Sequence, residues 1–255
     1  SLITGIISYK ICIKERRSSE KNKYILSKSE DLRTQLNKED LTMLEEYVDK
    51  KWNNEYKYSN TFYNSDQEMG EDLADAINVE IKRLVDAGCK YIQVDEPLFA
   101  RKPDNALKFG VSNLEKCFEG INDSNIEKIT HICCGYPDKI DAIDYPKAPL
   151  DSYKKIAKAL NKSIIDSVSI EDAHRYNNLS LLSDYEQTKV IFGVIKIASS
   201  SIETEEEIEN RINEALKYIS KEQLILAPDC GLGHLSRELA IQKLKIMSSV
   251  ARKFN

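Results

Sequence analysis

From about residue 67 onward the apolar positions fall into two alternating rhythms. In "DQEMGEDLADAINVEIKRLVDAG", Leu73, Ile77, Ile81, Leu84 and Val85 recur at helical spacing, and Gly88 predicts the stop. "YIQVD" follows with the period of two that marks a strand. The pattern then predicts helix "NLEKCFEGI", strand "KITHIC", helix "DSYKKIAKAL", strand "IIDSVSIE", a short helix near "LSLLSDYE" and strand "VIFGVIKIA". Helix "ETEEEIENRINEALKYI", strand "LILAPD" and helix "RELAIQKLKIMSSVARK" close the chain. Strands that alternate with helices cannot pair as hairpins, so the fold class is α/β with a parallel sheet. No repeat is visible at the level of sequence.

Residues 1–66 carry a weaker signal. "GIISYKICIKE" reads as one strand, whereas the stretch from Arg16 to Asn64 is rich in Lys, Glu, Asn, Ser and Tyr, with periodicity best around "KEDLTMLEEYVDKKW". The chain therefore divides into a poorly defined N-terminal segment, 1–66, and a regular β/α region, 67–255.

A length of 255 residues suits one large domain. Apolar residues make up 41% and charged residues 31%, and no long apolar run is present to cross a bilayer. Acids and bases are interspersed at a net charge of −5, so no basic face points to nucleic acid; "KERRSSEKNK" is a solvated patch. The first residues lack a charged leader and a small-residue cleavage site, and the expected location is cytoplasmic. In a reducing compartment the six cysteines are buried, catalytic or metal-bound rather than paired in disulfides.

The polar residues of interest collect at strand ends. Side chains i and i+2 share a face of a strand, so His131 and Cys133 of "THICCGYPD" point together and Cys134 points away. By the same parity Gln93 sides with Asp95, and Ser167 and Ser169 side with Glu171. Reactive residues at the carboxyl ends of successive parallel strands are where a β/α barrel builds its active site. His131, Cys133, Glu171 and Cys230 offer one imidazole, two thiolates and a carboxylate, the donor types of tetrahedral zinc, and soft sulfur favours zinc over magnesium or calcium. The plainer alternative keeps Cys133 and Cys230 as small buried hydrophobes, the reading that also fits Cys12, Cys89 and Cys117. Adjacent Cys133 and Cys134 face opposite ways and do not form a Cys-x-x-Cys redox motif.

"YIQVDEPLFAR", "THICCGYPD", "VSIEDAHR", "FGVIKIASS" and "LAPDCGLG", in this order between about residues 67 and 252, resemble the motifs of the catalytic domain of cobalamin-independent methionine synthase and its relatives. The resemblance implies a (β/α)8 TIM barrel and a zinc ion that activates a thiol, homocysteine first, as acceptor of a methyl group from a methylfolate or methylcorrinoid donor. It places the zinc ligands on His131, Cys133, Glu171 and Cys230, and the aspartate that holds the homocysteine amino group on Asp95. Gln93 and Ser199 complete the candidate substrate contacts. The implied partners are thus a small-molecule thiol and a methyl donor, with no nucleic acid and no membrane.

Two departures from the family pattern stand out. Where methionine synthases carry an Asp-Ile-His-Ser stretch with a proton-donating histidine, this chain has Lys196, Ala198 and Ser199 at the aspartate, histidine and serine positions. His174 or His234 is the candidate replacement. The Ile-Gly-Ser stretch and early strands of the family have no counterpart in residues 1–66, and five clear strands plus one do not complete an eight-stranded barrel. Alternative readings are alkylation of a different thiol, as in epoxide opening, and a degenerate member without catalysis.

Overall fold

A computed structural model describes residues 63–142 and 145–254 of the chain. The strand expected in "GIISYKICIKE" and the rest of the segment up to residue 62 lie outside the described residues. Helix α1, Asp66–Asp86, opens on Ser65, whose hydroxyl accepts the Glu68 N–H at 3.1 Å, with Asp66 and Glu68 complementing the helix dipole. Ala74, Ile77 and Ile81 form its buried stripe, and Gly88 ends the turn at φ +90°, a conformation that glycine adopts without strain. Strand β1, Tyr91–Asp95, follows. A helical stretch then starts at Pro103–Asn105, passes through a π-helical turn over Ala106–Gly110 and continues as α2, Val111–Cys117. The sequence pattern finds only its second half. A π turn inserts a residue into the helical repeat and puts the apolar positions on either side of it out of phase.

The remaining elements follow in order. Strand β2 is Glu127–Ile132, α3 is Ser152–Lys162, and β3 is Ser167–Ile170. After a 3₁₀ turn over Leu179–Asp184 come β4, Lys189–Ile195, α4, Glu205–Ala215, β5, Leu224–Pro228, and α5, Arg237–Lys253. Among the described residues the sheet has five strands, all parallel, in the sequential order β1-β2-β3-β4-β5. A doubly wound sheet would reverse its strand order at a switch point; sequential order with helical crossovers is the rule of a TIM barrel.

The two faces of the sheet differ as strand parity requires. Ile92, Val94, Ile132, Val168, Ile170, Val190 and Phe192 are buried among the helices. The opposite face carries Gln93, Asp95, His131, Ser167 and Ser169. Asp95 lies in register with His131 and His131 with Ser169, which sets three polar side chains side by side near the carboxyl ends of β1, β2 and β3. No helix among the described residues is long and apolar enough to cross a membrane.

Candidate metal centre

Because every strand runs the same way, the carboxyl ends of β2, β3 and β5 meet on one rim. His131 is in the last turn of β2's pleat and Cys133 just beyond it; Glu171 directly follows β3; Cys230 comes after Pro228 ends β5. Their candidate ligand atoms all lie within 4.8 Å of one another, with His131 and Glu171 buried and both cysteines half-buried. The local pair His131 and Cys133 thus meets two residues that are distant in sequence.

Each donor is held by groups behind it. His131 Nδ1 lies 2.9 Å from Ser169 Oγ, which leaves Nε2 facing the cluster, 4.0 Å from Glu171 Oε1. Nε2 is buried and has no hydrogen-bond partner among the described residues. A metal-binding histidine has this arrangement, one nitrogen tied to an orienting group and the other free to coordinate. Glu171 Oε1 accepts the Cys134 backbone N–H at 2.8 Å, and the Tyr153 hydroxyl accepts the Glu171 N–H at 3.2 Å while donating to the Ile132 carbonyl at 2.9 Å. Tyr153, fully buried on α3, therefore fastens the end of β3 to the end of β2.

Electrostatics favours a cation at this spot. The neighbouring Cys230 thiol, together with burial, pushes the Cys133 thiol up to about 12. Burial, with Cys133 and Asp229 nearby, raises the Glu171 carboxyl well above the usual carboxylate range. Burial alone would depress His131, yet the neighbouring Cys133 thiol and the Asp95 and Glu171 carboxylates raise it. Acids crowded together out of water resist ionising until a positive charge is supplied, and two thiols, an imidazole and a carboxylate match the coordination chemistry of a tetrahedral dication. The residues present fit such an ion.

The other residues singled out by sequence are arranged around this cluster. Asp95 accepts a hydrogen bond from Gln93 Nε2 at 3.1 Å and faces the same lumen as His131. Ser199 lies in the loop after β4, where its hydroxyl accepts the Ser201 N–H at 3.2 Å. His174, in the loop after β3, uses Nε2 to accept the N–H groups of Ile197 at 3.0 Å and Ala198 at 3.2 Å. Burial, then the nearby Lys147, Lys196 and Lys243, lowers its pKa to about 4. With Nε2 accepting two N–H groups, the proton of the neutral ring lies on Nδ1. His234, in the loop after β5, donates from Nε2 to the Pro137 carbonyl at 2.8 Å and stacks on Tyr136 with ring centroids 4.9 Å apart. The Tyr136 hydroxyl donates to the Gly231 carbonyl at 2.9 Å, so the loops that follow Cys133 and Cys230 are clasped together.

The sequence pattern of the family described as "Cobalamin-independent synthase, Catalytic domain" matches residues 60–253. The chain belongs to this family. Among curated relatives, methionine synthase of Saccharolobus islandicus is 37% identical over 196 residues, 76% of this chain and 52% of the relative. That of Sulfolobus acidocaldarius is 31% identical over 192 residues, 74% of this chain and 50% of the relative. A solved B12-independent methionine synthase from Shewanella sp. W3-18-1, in complex with selenomethionine, is 31% identical with a TM-score of 0.66, covering 75% of this chain and 56% of that one. A methyltransferase from Methanosarcina mazei, at 18% identity and a TM-score of 0.50, shares the fold, covering 71% of this chain and 47% of that one. The chain spans about half the length of the curated methionine synthases it matches.

Three features escape sequence reasoning about this family member. Cys134 looks like a bystander by parity, but its backbone N–H holds Glu171. Tyr145 has no local motif, yet its buried hydroxyl has no partner among the described residues and its ring stands edge-on to His174 at 6.0 Å. Asp229 reads as the neighbour of Cys230, but it is fully buried and takes the backbone N–H groups of Asp172, Ala173 and His174 on its carboxylate. Burial pushes this carboxyl up to about 6 against the pull of those N–H groups.

Proposed function

We propose that this chain is the metal-binding catalytic part of a methyltransferase that moves a methyl group to the sulfur of a small thiol, homocysteine being the first candidate. The observation that carries the reading is the convergence of His131, Cys133, Glu171 and Cys230 within 4.8 Å at the carboxyl rim of a parallel sheet. These four residues would hold zinc. When bound, the ion would take the sulfur of the acceptor as an additional ligand and keep it deprotonated at neutral pH.

The protein's own residues supply the rest. A free thiol of pKa about 8.5 is a few per cent thiolate at neutral pH, so full deprotonation is worth only about 30-fold, roughly 2 kcal/mol. Most of the acceleration must therefore come from orientation, for which effective molarity can supply several kcal/mol. Asp95, braced by Gln93 and facing the lumen beside His131, is placed to hold the amino group of an amino-acid thiol. The carbon–sulfur bond forms as the bond from methyl to its donor breaks, and a nitrogen leaving group must take up a proton. The chain has three histidines; His131 is assigned to the metal, and His174 and His234, in the loops after β3 and β5, are the imidazoles left for that proton, each with Nε2 engaged and Nδ1 as the remaining nitrogen. A methylated corrinoid would leave without an acid. Two cysteines that must remain thiols suit a reducing, cytoplasmic setting.

X-ray absorption at the zinc edge, with and without homocysteine, tests metal and acceptor together. The expected result is one zinc per chain and a gain of one sulfur neighbour on adding homocysteine. Purified protein that takes up no zinc would remove the basis of the reading. Cys133→Ser and Cys230→Ser should each lose zinc and methyl transfer together, and a panel of thiols and methyl donors would name the substrates.

A further inference from the structure

Glu171 and Cys230 come from strands that are not neighbours. Strand β4 lies between β3 and β5, so no ladder hydrogen bond sets the distance between these two donors. The structure bridges them another way. From its position after β5, Asp229 donates its own N–H to the Ile195 carbonyl of β4 at 3.0 Å. Its carboxylate then passes over β4 and accepts three N–H groups of the chain after β3: Asp172 at 2.9 Å and Ala173 at 2.8 Å on Oδ1, and His174 at 2.7 Å on Oδ2.

The route across β4 is open because residue 193 is glycine. A Cβ on Gly193 would stand 2.1 Å from Asp229 Oδ1, 3.0 Å from Asp229 Cα and 3.1 Å from the Ile170 carbonyl. No side chain fits at that spacing, and the β4–β5 register shifts between Gly193 and Ile195, where the carboxylate crosses. The loop that receives it is also held from outside. The Arg211 guanidinium of α4 forks onto Asp172 at 2.6 and 2.8 Å, and Asn177 closes on Asp172 Oδ1 at 2.8 and 2.9 Å.

We propose that Asp229 is a positioning residue for the four-donor cluster: through the gap left by Gly193 its carboxylate seats the chain after β3 and thereby sets Glu171 against Cys230. Asp229 is not a ligand in this scheme. It acts through the backbone on both sides of β4, one residue from each of the two donors it relates. The inference rests on the reading of that cluster as a metal site.

The test compares zinc affinity, by competition with a chromogenic chelator, and the visible spectrum of the Co²⁺-loaded protein, whose bands report tetrahedral geometry and thiolate ligation. Asp229→Asn keeps the shape and the Oδ1 contacts but turns an amide toward the His174 N–H; Asp229→Ala removes all three bonds. Asp229→Asn is expected to weaken zinc about 10-fold and Asp229→Ala nearer 100-fold, the range seen for groups that orient ligands, with altered Co²⁺ bands. Gly193→Ala should reproduce the loss, and its effect should be smaller in the Asp229→Ala background, because the oxygen at 2.1 Å is gone while the backbone contacts at 3.0 and 3.1 Å remain. Val250→Ala, a buried truncation on α5, controls for general destabilisation and should leave affinity unchanged. Wild-type zinc affinity and Co²⁺ bands in both Asp229 variants, or losses no larger than that of Val250→Ala, would overturn the proposal. Wild-type protein that takes no zinc would instead bring down the metal reading beneath it.

Discussion

At His174 one of the two ring nitrogens is already occupied. Its Nε2 accepts from two backbone amides and its pKa is lowered to about 4, mainly by burial. An unfolded histidine titrates near 6.5. Between pH 6.5 and 4 the unfolded chain therefore binds the extra proton and the folded one does not, so the contribution of this residue is present above pH 6.5 and is lost as the pH falls toward 4. His174→Gln retains a carbonyl acceptor that does not titrate. Metal-free wild-type protein should lose roughly 1 kcal/mol more than His174→Gln between pH 7 and pH 4, a figure reduced for solvent screening at a partly exposed ring. Denaturant titrations at stepped pH measure this, and parallel curves for the two proteins would contradict it. The pairing of His131 with Cys133 was legible because strand parity is a local property, whereas Glu171 and Cys230 could be joined to them only by donor type, position at a strand end and the family resemblance. What was not legible is how side chains are occupied. Nothing in "EDAHR" announces that Ile197 and Ala198 will claim the ring of His174, because that contact depends on how two loops are brought together by β3 and β4.

Elements were easier to read than their connections. Helix α5 falls where the apolar period puts it, and Glu205–Ala215 begins at the capping box formed by Thr204 and Glu207. Thr204→Ala should cost about 1 kcal/mol in chemical denaturation, without effect on zinc affinity, since it removes one cap from the outer layer. A stronger link joins α5 to the loop after β4. The Lys243 ammonium, with its side chain fully buried, donates to the Ser201 carbonyl at 2.5 Å and to both Glu203 oxygens at 2.9 Å, while Glu203 also accepts the Lys196 N–H at 2.9 Å. Lys243→Ala leaves a carboxylate that is only 9% exposed without its partner, and should destabilise the protein by about 3–5 kcal/mol. The double variant Lys243→Met with Glu203→Gln should recover most of that loss, because both charges leave together. Equal destabilisation by the single and double variants would show that the pair acts through packing instead. From sequence Lys243 is one more basic residue on an amphipathic helix; only the closure of α5 over the β4 loop makes it a buried cation.

For the molecule as a whole, a parallel sheet in sequential order gathers the ends of β2, β3 and β5 at one rim, and the candidate ligands sit on those ends. An ion held there cross-links segments distant in the chain, so it binds the folded state far better than the unfolded one. Binding of this kind stabilises by RT ln(1 + [L]/Kd), about 4 kcal/mol at free metal a thousand times Kd. In a domain of 150–250 residues each kcal/mol moves the melting temperature by about 2–4 °C, so saturating zinc should raise it by about 8–16 °C over chelator-treated protein. Cys133→Ser and Cys230→Ser should each abolish most of that rise while melting close to the metal-free wild type, because serine is close to cysteine in size and without an ion little else is lost. Calorimetry on metal-free and zinc-loaded protein decides the matter. A melting temperature that ignores both zinc and chelator would mean that these four side chains, although adjacent, are not joined by a metal, and the acceptor chemistry would have to be sought elsewhere on the rim.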